Sequence, residues 1–180
     1  MSYKMFVTTL CFLIASTMCV ADPLSDAQLA MESGNYNQAA QLLAPLANNG
    51  DPLAQYHLGM MSYYGQGVPE DEKLAIQWWK KAAAQGYVEA MFQLGSAYLF
   101  GSQAAKLVPN PDREAATWYF QAASAGHAEA QYHLGLLFLA GKGVIDNRKE
   151  AARWMKKAAM QGHVEAQKAL ASIESVTSGH

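Results

Sequence analysis

The sequence predicts an all-α fold in which helical hairpins stack on one another as a solenoid. Three observations predict it. Alanine accounts for 32 of the 180 residues and favours closely packed helices over strands. Apolar residues recur at intervals of three and four, the period of an amphipathic helix. Glycine, leucine and alanine also return at a spacing close to that of a two-helix repeat.

The repeat is clearest in its glycines. Gly50, Gly86, Gly126 and Gly162 are separated by 36, 40 and 36 residues. Within each interval a Leu-Gly pair, a single glycine, a single alanine and an Ala-Ala pair follow one another. These residues are Leu58-Gly59, Leu94-Gly95 and Leu134-Gly135, then Gly65, Gly101 and Gly141, then Ala75, Ala115 and Ala151, and finally Ala82-Ala83, Ala122-Ala123 and Ala158-Ala159.

These spacings divide the chain into segments that are each assigned a role. The predicted segments are a signal peptide at 1–21, a divergent first hairpin at 22–50, repeats at 51–86, 87–126 and 127–162, a capping helix at 163–175 and a tail at 176–180.

The first segment has the pattern of a secretory signal peptide. Lys4 precedes an apolar run from Met5 to Val20, and small residues before Asp22 predict cleavage after Ala21. The alternative is an uncleaved anchor helix, but the run is shorter than the ~20 residues needed to span a bilayer. The predicted location is therefore periplasmic or secreted, with membrane contact only during export.

Removal of the signal peptide changes the composition of the chain. Both cysteines, Cys11 and Cys19, lie within it, so the mature chain is expected to contain no disulfide, thiol nucleophile or cysteine-bound metal. The net charge of -2 becomes -3. A charge so close to neutral argues against nucleic acid as a partner.

Each repeat is predicted to form two helices. In the first, the helix from Pro52 to Tyr64 is expected to end at Gly65, where a left-handed backbone suits glycine. The second helix is expected from about Asp71 to Gln85, before Gly86.

Glycine also recurs in the middle of the first helix of each repeat, at Gly59, Gly95 and Gly135. Each costs about 1 kcal/mol relative to alanine, so a packing reason is expected. The prediction is close approach of the paired helix, with the recurrent alanines of the second helix as the matching small surface.

Two irregular features modify the repeat. Four extra residues lie within 101–112, and this insert is either part of a binding face or tolerated drift. The last helix, from Val164 to about Glu174, has no second helix to cover it. It is expected to cap the stack or to contact another copy of the chain.

The first repeat resembles the Sel-one-like repeat, a relative of the tetratricopeptide repeat. The resemblance rests on Ala54-Gln55-Tyr56-His57-Leu58-Gly59, Gly65-Gln66-Gly67-Val68, Asp71, Ala75, Trp78-Trp79, Ala82-Ala83 and Gly86. It implies a right-handed α-α superhelix and a role as an adaptor that holds other proteins. Ser62 departs from the family pattern, which Tyr98 and Phe138 keep, and the second repeat lacks the Gly-x-Gly-Val loop.

The same resemblance implies a partner-binding groove along the first helices, by analogy with tetratricopeptide units. Its residues are Tyr56, Met60, Tyr63, Tyr64, Phe92, Ser96, Leu99, Phe100, Tyr132, Leu136, Leu139 and Ala140. Exposed aromatic residues in such a groove suit a partner, since aromatic anchors dominate binding energies. The alternative is that neighbouring helices bury many of these side chains.

Charge is unevenly distributed along the sequence. Between Lys4 and Lys73 there is no lysine or arginine but there are seven acidic residues, whereas 12 basic and 8 acidic residues follow from Lys73 onward. This polarity is expected either to orient a partner or to promote weak head-to-tail self-association. The alternative is a solvated surface without function.

Motifs for chemistry are weak. His127-Ala128-Glu129 and His163-Val164-Glu165 resemble metal-binding fragments, but they share one repeat position, where an acidic residue in the first helical turn is favourable. His57 and His133 are expected to be side-exposed, and Trp78, Trp118 and Trp154 to be core plates between repeats. No catalytic site, cofactor or metal site is predicted, so an enzyme is not expected.

These observations predict a secreted or periplasmic adaptor or regulator whose concave face binds a segment of an envelope protein, sensor or toxin. One alternative is an immunity protein that neutralises a periplasmic toxin such as a lipase effector. The third alternative, a β-lactam-binding hydrolase like some cysteine-rich relatives, is weakened because the mature chain has no cysteine.

Overall fold

The computed structural model describes residues 22–178, so the predicted signal peptide lies outside the described residues. Within this range the chain forms nine α-helices and one 3₁₀ turn at Ala104–Lys106. The helices are α1 (Pro23–Glu32), α2 (Tyr36–Asn48), α3 (Pro52–Tyr64), α4 (Glu72–Ala84), α5 (Val88–Phe100), α6 (Pro111–Ser124), α7 (Ala128–Ala140), α8 (Arg148–Met160) and α9 (Val164–Ser178).

The helices stack in sequence order, which confirms the predicted all-α solenoid. The pairs α1–α2, α3–α4, α5–α6 and α7–α8 are hairpins, and each hairpin packs against the next one. Helix α9 packs on α8 and continues to Ser178, so it ends three residues beyond the predicted capping segment. None of the helices among residues 22–178 is both long enough and apolar enough to cross a membrane.

Local sequence signals account for the helix ends. The Asp51 carboxylate accepts a hydrogen bond from the Ala54 amide at 2.7 Å, and Asp71 caps α4 in the same way. Gly65 follows α3 with φ 65°, a left-handed conformation that is strained for any other residue. Helix α3 therefore has the predicted bounds.

The mid-helix glycines have the predicted packing role, but the surface that meets them is not small. A Cβ atom on Gly95 would lie 2.7–2.9 Å from the ring of Tyr119, and one on Gly135 would lie 2.7 Å from Met155 Cγ. The equivalent partner of Gly59 is the indole of Trp79. The expected alanine surface is thus wrong, because a large side chain of the second helix fills the space that each glycine leaves.

The loop that joins the two helices of a repeat contacts the start of the second helix of the preceding repeat. In the first and third repeats the contact is made by backbone, since Gly67 and Gly143 lie directly against the carbonyl groups of Tyr36 and Asp112. The second repeat lacks this glycine loop, and its insert docks on Glu72 instead.

The Glu72 carboxylate accepts hydrogen bonds from the amides of Ala104 at 2.6 Å and Gln103 at 3.0 Å, and from the Ser102 hydroxyl at 3.3 Å. Residues Tyr36, Glu72 and Asp112 occupy the same repeat position. The insert is therefore an anchored part of the stack, and its Ala104 is fully buried.

Of the three tryptophans predicted to be core plates between repeats, only Trp154 is buried. Trp154 is buried in the cluster formed mainly by α4 to α7, and half-buried Trp78 packs against the cluster of α1 to α3. Half-buried Trp118 packs in the same cluster as Trp154. Trp79 is buried more deeply than any of these three, and its indole N–H donates to the Tyr56 carbonyl at 3.3 Å.

Candidate partner-binding surface

The predicted groove residues lie on α3, α5 and α7, but they differ widely in exposure. Tyr64, Phe100 and Leu139 are 58%, 69% and 39% exposed. Apart from the exposed Ala140, the other predicted residues are half-buried. The surface available to a partner is therefore concentrated at the ends of the first helices.

Three of the half-buried aromatic rings pack against the residue that directly precedes α5, α7 or α9. The ring of Tyr56 lies 5.1 Å from that of Tyr87, and Phe92 lies 4.6 Å from His127. Tyr132 is likewise 4.6 Å from His163. For these positions the contacts agree with the alternative expectation, that neighbouring helices cover the side chains.

His127 and His163 act as helix caps. Nδ1 of His127 accepts a hydrogen bond from the Ala130 amide, and Nδ1 of His163 accepts one from the Ala166 amide, both at 3.2 Å. Nε2 of His163 also lies 2.8 Å from the carboxylate of Glu129. Among the described residues, no group of three histidine, cysteine or acidic residues is arranged to hold a metal ion.

His57 and His133 are half-buried, which corrects the expectation that they are side-exposed. The ring of His133 stacks on Tyr119 at 5.2 Å with an interplanar angle of 8°, and its Nε2 lies 3.3 Å from Glu129. Burial lowers the pKa of His133 against the opposing effect of Glu129. Burial also lowers the pKa of His57, so both imidazoles are more readily neutral than in water.

An open cleft lies between the ends of α3 and α5, with a volume of about 400 Å³. We call it the α3–α5 cleft, and its lining residues are Tyr63, Tyr64, Glu70, Glu72, Phe100, Gly101 and Ser102. A deeper part of about 130 Å³ continues from the same three aromatic residues to Trp79, Gln93, Ser96 and Ala97.

The aromatic side chains of the cleft support one another. Tyr63 and Tyr64 pack edge to face at 5.1 Å, and Tyr63 also lies 5.5 Å from Trp79, whose side chain is buried. This base holds Tyr64 beside the opening, where more than half of its surface remains exposed. The cleft therefore has a fixed floor and an aromatic rim.

Ser96 is bound within the protein. Its hydroxyl lies 3.0 Å from that of Tyr119, which is shielded from solvent. Burial raises the pKa of Tyr119 to about 12 even though the hydrogen bond with Ser96 lowers it. The pair is consequently a neutral packing contact.

The groove changes character at the third repeat. Tyr132 and Leu136 pack against the cluster formed by α8 and α9, and Ala140 stands where the earlier repeats have Tyr64 and Phe100. The predicted groove thus does not continue as an aromatic surface along the whole stack.

Sequence patterns did not predict Glu70, Glu72, Trp79 or Gln93 as groove residues, although the first two line the cleft and the last two line its deeper part. The sequence signal that could have identified Glu70 is its position in the loop, five residues after Gly65, which ends α3.

Other hollows lie away from the predicted groove. One of about 540 Å³ is at the free end of the first hairpin, beside Asp26 and Leu29. Another of about 230 Å³ lies between α6 and the α7–α8 loop, beside Phe120 and Val144. Only the α3–α5 cleft among these three combines several predicted groove residues.

Comparison with known proteins identifies the repeat. Residues 52–87, 88–127 and 128–163 match the Sel1 repeat family. A Sel1 repeat protein from Oxalobacter formigenes is 33% identical in sequence, and its crystal structure superposes with a TM-score of 0.75 over 82% of this chain and 59% of that one.

Two further relatives are similar over different extents. An uncharacterized protein of Neisseria meningitidis serogroup B is 37% identical over 73 residues, 41% of this chain but only 15% of the relative. Cysteine-rich protein B of Helicobacter pylori shares the fold at 23% identity, with a TM-score of 0.53 over 81% of this chain and 95% of that one. The chain thus spans less than two thirds of both the Oxalobacter and the Neisseria proteins.

Proposed function

The chain belongs to the Sel1 repeat family, and on that basis we propose that it holds a segment of a partner protein in the α3–α5 cleft. Sel1 repeat proteins are generally protein–protein interaction modules and are typically non-catalytic scaffolds. The observation that carries the proposal is the pair of exposed rings, Tyr64 and Phe100, at the opening of one cleft.

The exposed rings are large enough to anchor a partner. An aromatic side chain buries roughly 150–250 Å² when fully covered. Tyr64 and Phe100 are 58% and 69% exposed, so a partner covering both would gain about 5–8 kcal/mol at ~25 cal/mol per Å². The cost of association, about 4–15 kcal/mol, is of the same size, so contacts elsewhere along the partner segment must add to the affinity.

The proposed setting is the periplasm or the exterior of the cell, where the protein acts as an adaptor or regulator. This location rests on the signal peptide predicted in residues 1–21. The immunity hypothesis uses the same cleft for a toxin, and it is distinguished by stoichiometric inhibition of that toxin.

The test compares partners captured by crosslinking from the native envelope. The mature chain from residue 22 serves as bait, either unchanged or with Tyr64→Ala and Phe100→Ala together. We expect the aromatic variant to lose the partner while keeping its helical circular dichroism, because both side chains are largely exposed.

A matched control removes an exposed apolar side chain elsewhere. Ile145 is 87% exposed in the α7–α8 loop, and Ile145→Ala is expected to retain the partner. Capture of the same partner in equal amount by the folded aromatic variant would show that the cleft is not the binding site.

A further inference from the structure

We propose that the α3–α5 cleft selects a partner segment that carries a lysine or arginine side chain, held between the aromatic rim and the carboxylates of Glu70 and Glu72. The inference rests on the proposed function, since it names the class of segment that this same cleft binds. Its occupant is a cationic side chain flanked by apolar ones.

The first support is that aromatic rings and carboxylates line one cleft. Tyr64 and Phe100 expose their rings, and Glu70 and Glu72 lie along the same opening. Burial raises the pKa of Tyr63, and the charges of Glu72 and Glu70 raise it further. A cation placed here is attracted both by the ring faces and by the negative charge.

The second support is the charge of the surroundings. From Asp22 to Glu72 the sequence contains seven acidic residues and no lysine or arginine. Lys73 borders a neighbouring hollow together with Glu70, Asp71 and Glu72, so acidic residues outnumber the local cation by three to one. An acidic or neutral segment gains less from this field than a basic one.

The third support is that the repeat scaffold does not require an exposed ring at the position of Tyr64. In the third repeat the positions of Tyr64, Glu70 and Glu72 are occupied by Ala140, Asp146 and Arg148. The third repeat therefore has neither the ring nor the second carboxylate. Of the two Gly-x-Gly-Val loops, only the first has an exposed ring beside its acidic residue. Anchoring of the insert accounts for Glu72 but not for the exposed Tyr64.

Glu72 has a second task that limits its use as a test. Its carboxylate holds the amides of Gln103 and Ala104, so replacing it disturbs the loop as well as the charge. Glu70 is exposed, and its Cβ lies beside Gly65. Glu70→Gln therefore removes one charge while keeping nearly the same shape.

The experiment titrates the isotope-labelled mature chain with two peptides, acetyl-Leu-Arg-Leu-amide and acetyl-Leu-Gln-Leu-amide, and follows backbone amide resonances. We expect the arginine peptide to shift residues 63–64 and 100–103 in a saturable manner, and to bind more tightly than the glutamine peptide. Glu70→Gln is expected to weaken arginine-peptide binding about two- to fivefold, the range of an exposed ion pair.

A matched control uses the equivalent position of the third repeat. Asp146 is exposed and follows Gly141 as Glu70 follows Gly65, so Asp146→Asn removes the same charge from the other loop. We expect this variant to bind the arginine peptide as the unchanged protein does. Raising the salt concentration from about 50 to about 300 mM is expected to weaken arginine-peptide binding by screening.

The possible outcomes separate this inference from the proposed function. Equal binding of both peptides at residues 63–64 and 100–103 would overturn the selection of a cation and leave the cleft as a binding site. Absence of shifts with both peptides, or equal effects of Glu70→Gln and Asp146→Asn, would also overturn it. Retention of the captured partner by the Tyr64 and Phe100 variant would instead overturn the proposed function.

Discussion

Replacing Glu72 with alanine is expected to release the insert of the second repeat and to lower the free energy of unfolding by about 2–3 kcal/mol. The carboxylate accepts a hydrogen bond of 2.6 Å from the amide of Ala104, a buried residue, and two further groups, Gln103 N–H and the Ser102 hydroxyl, donate to it in exposed positions. We assign about 1.5 kcal/mol to the first bond and about 0.5 kcal/mol to each of the others, where water competes.

The measurement is urea unfolding combined with hydrogen exchange of residues 102–106. Loss of the acceptor leaves the amide of the buried residue Ala104 without its partner, so local exchange is expected to accelerate before the whole chain unfolds. Glu72→Gln keeps one acceptor oxygen but loses the charge, and an intermediate loss of stability is expected.

Asp112→Ala is the matched control, because Asp112 occupies the same repeat position. There the following loop contacts the main-chain carbonyl through Gly143 and does not need the side chain. Only the favourable charge at the start of α6 is lost, about 0.5 kcal/mol. If Glu72→Ala were no more destabilising than Asp112→Ala, and exchange at residues 102–106 were unchanged, the anchoring role of Glu72 would be refuted.

Three further predictions concern the scaffold. Gly143→Ala is expected to lower the unfolding free energy by about 2–4 kcal/mol through strain and a backbone clash, and Gly162→Ala, which has φ 90° but open space, by only about 1 kcal/mol; equal values in urea unfolding would contradict this. Tyr98→Phe is expected to be neutral or to stabilise by up to about 1 kcal/mol, because its buried hydroxyl has no partner among residues 22–178, and a clear loss in the same assay would be inconsistent with that absence. Acid is expected to destabilise the protein, since the folded chain binds fewer protons than the unfolded chain once pH falls below about 6.5. The histidines whose pKa burial lowers are His57, His127 and His133. Their contribution is full above pH ~6.5 and is lost as pH falls toward their lower folded values, with a limit of about 1.4 kcal/mol per pH unit for each proton. His57→Gln, which copies Gln93 of the second repeat, is expected to flatten that decline, and an unchanged slope would exclude a contribution from His57.

The sequence predicted the helices and their ends because those depend on neighbouring residues. Asp51 and Gly65 begin and end α3 through contacts within a few positions, and the bounds followed directly. Recurrence of Gly59 also predicted a close helix approach. It did not show that Trp79 fills the space, since several residues of the second helix have the same spacing from the turn.

Equivalent positions of the predicted groove differ in their surroundings from one repeat to the next. Tyr64 and Ala140 are equivalent in register, yet only the first helps to form the cleft. Tyr56 lies at a predicted groove position but is partly covered by Tyr87 of the next repeat. Exposure depends on how far each repeat rotates against the next, a quantity summed over many contacts and absent from any local pattern.

By itself, the sequence determined the repeat, its family, the order of the hairpins and the polarity of charge along the chain. Those properties depend on the spacing of residues and on composition, because helices and turns form through contacts between residues close in sequence. The tertiary structure alone decided that Glu72 anchors the insert about 30 residues later, and that Glu70 lies at the same opening as Phe100. Such contacts join residues of different repeats, so they exist only after the hairpins have stacked.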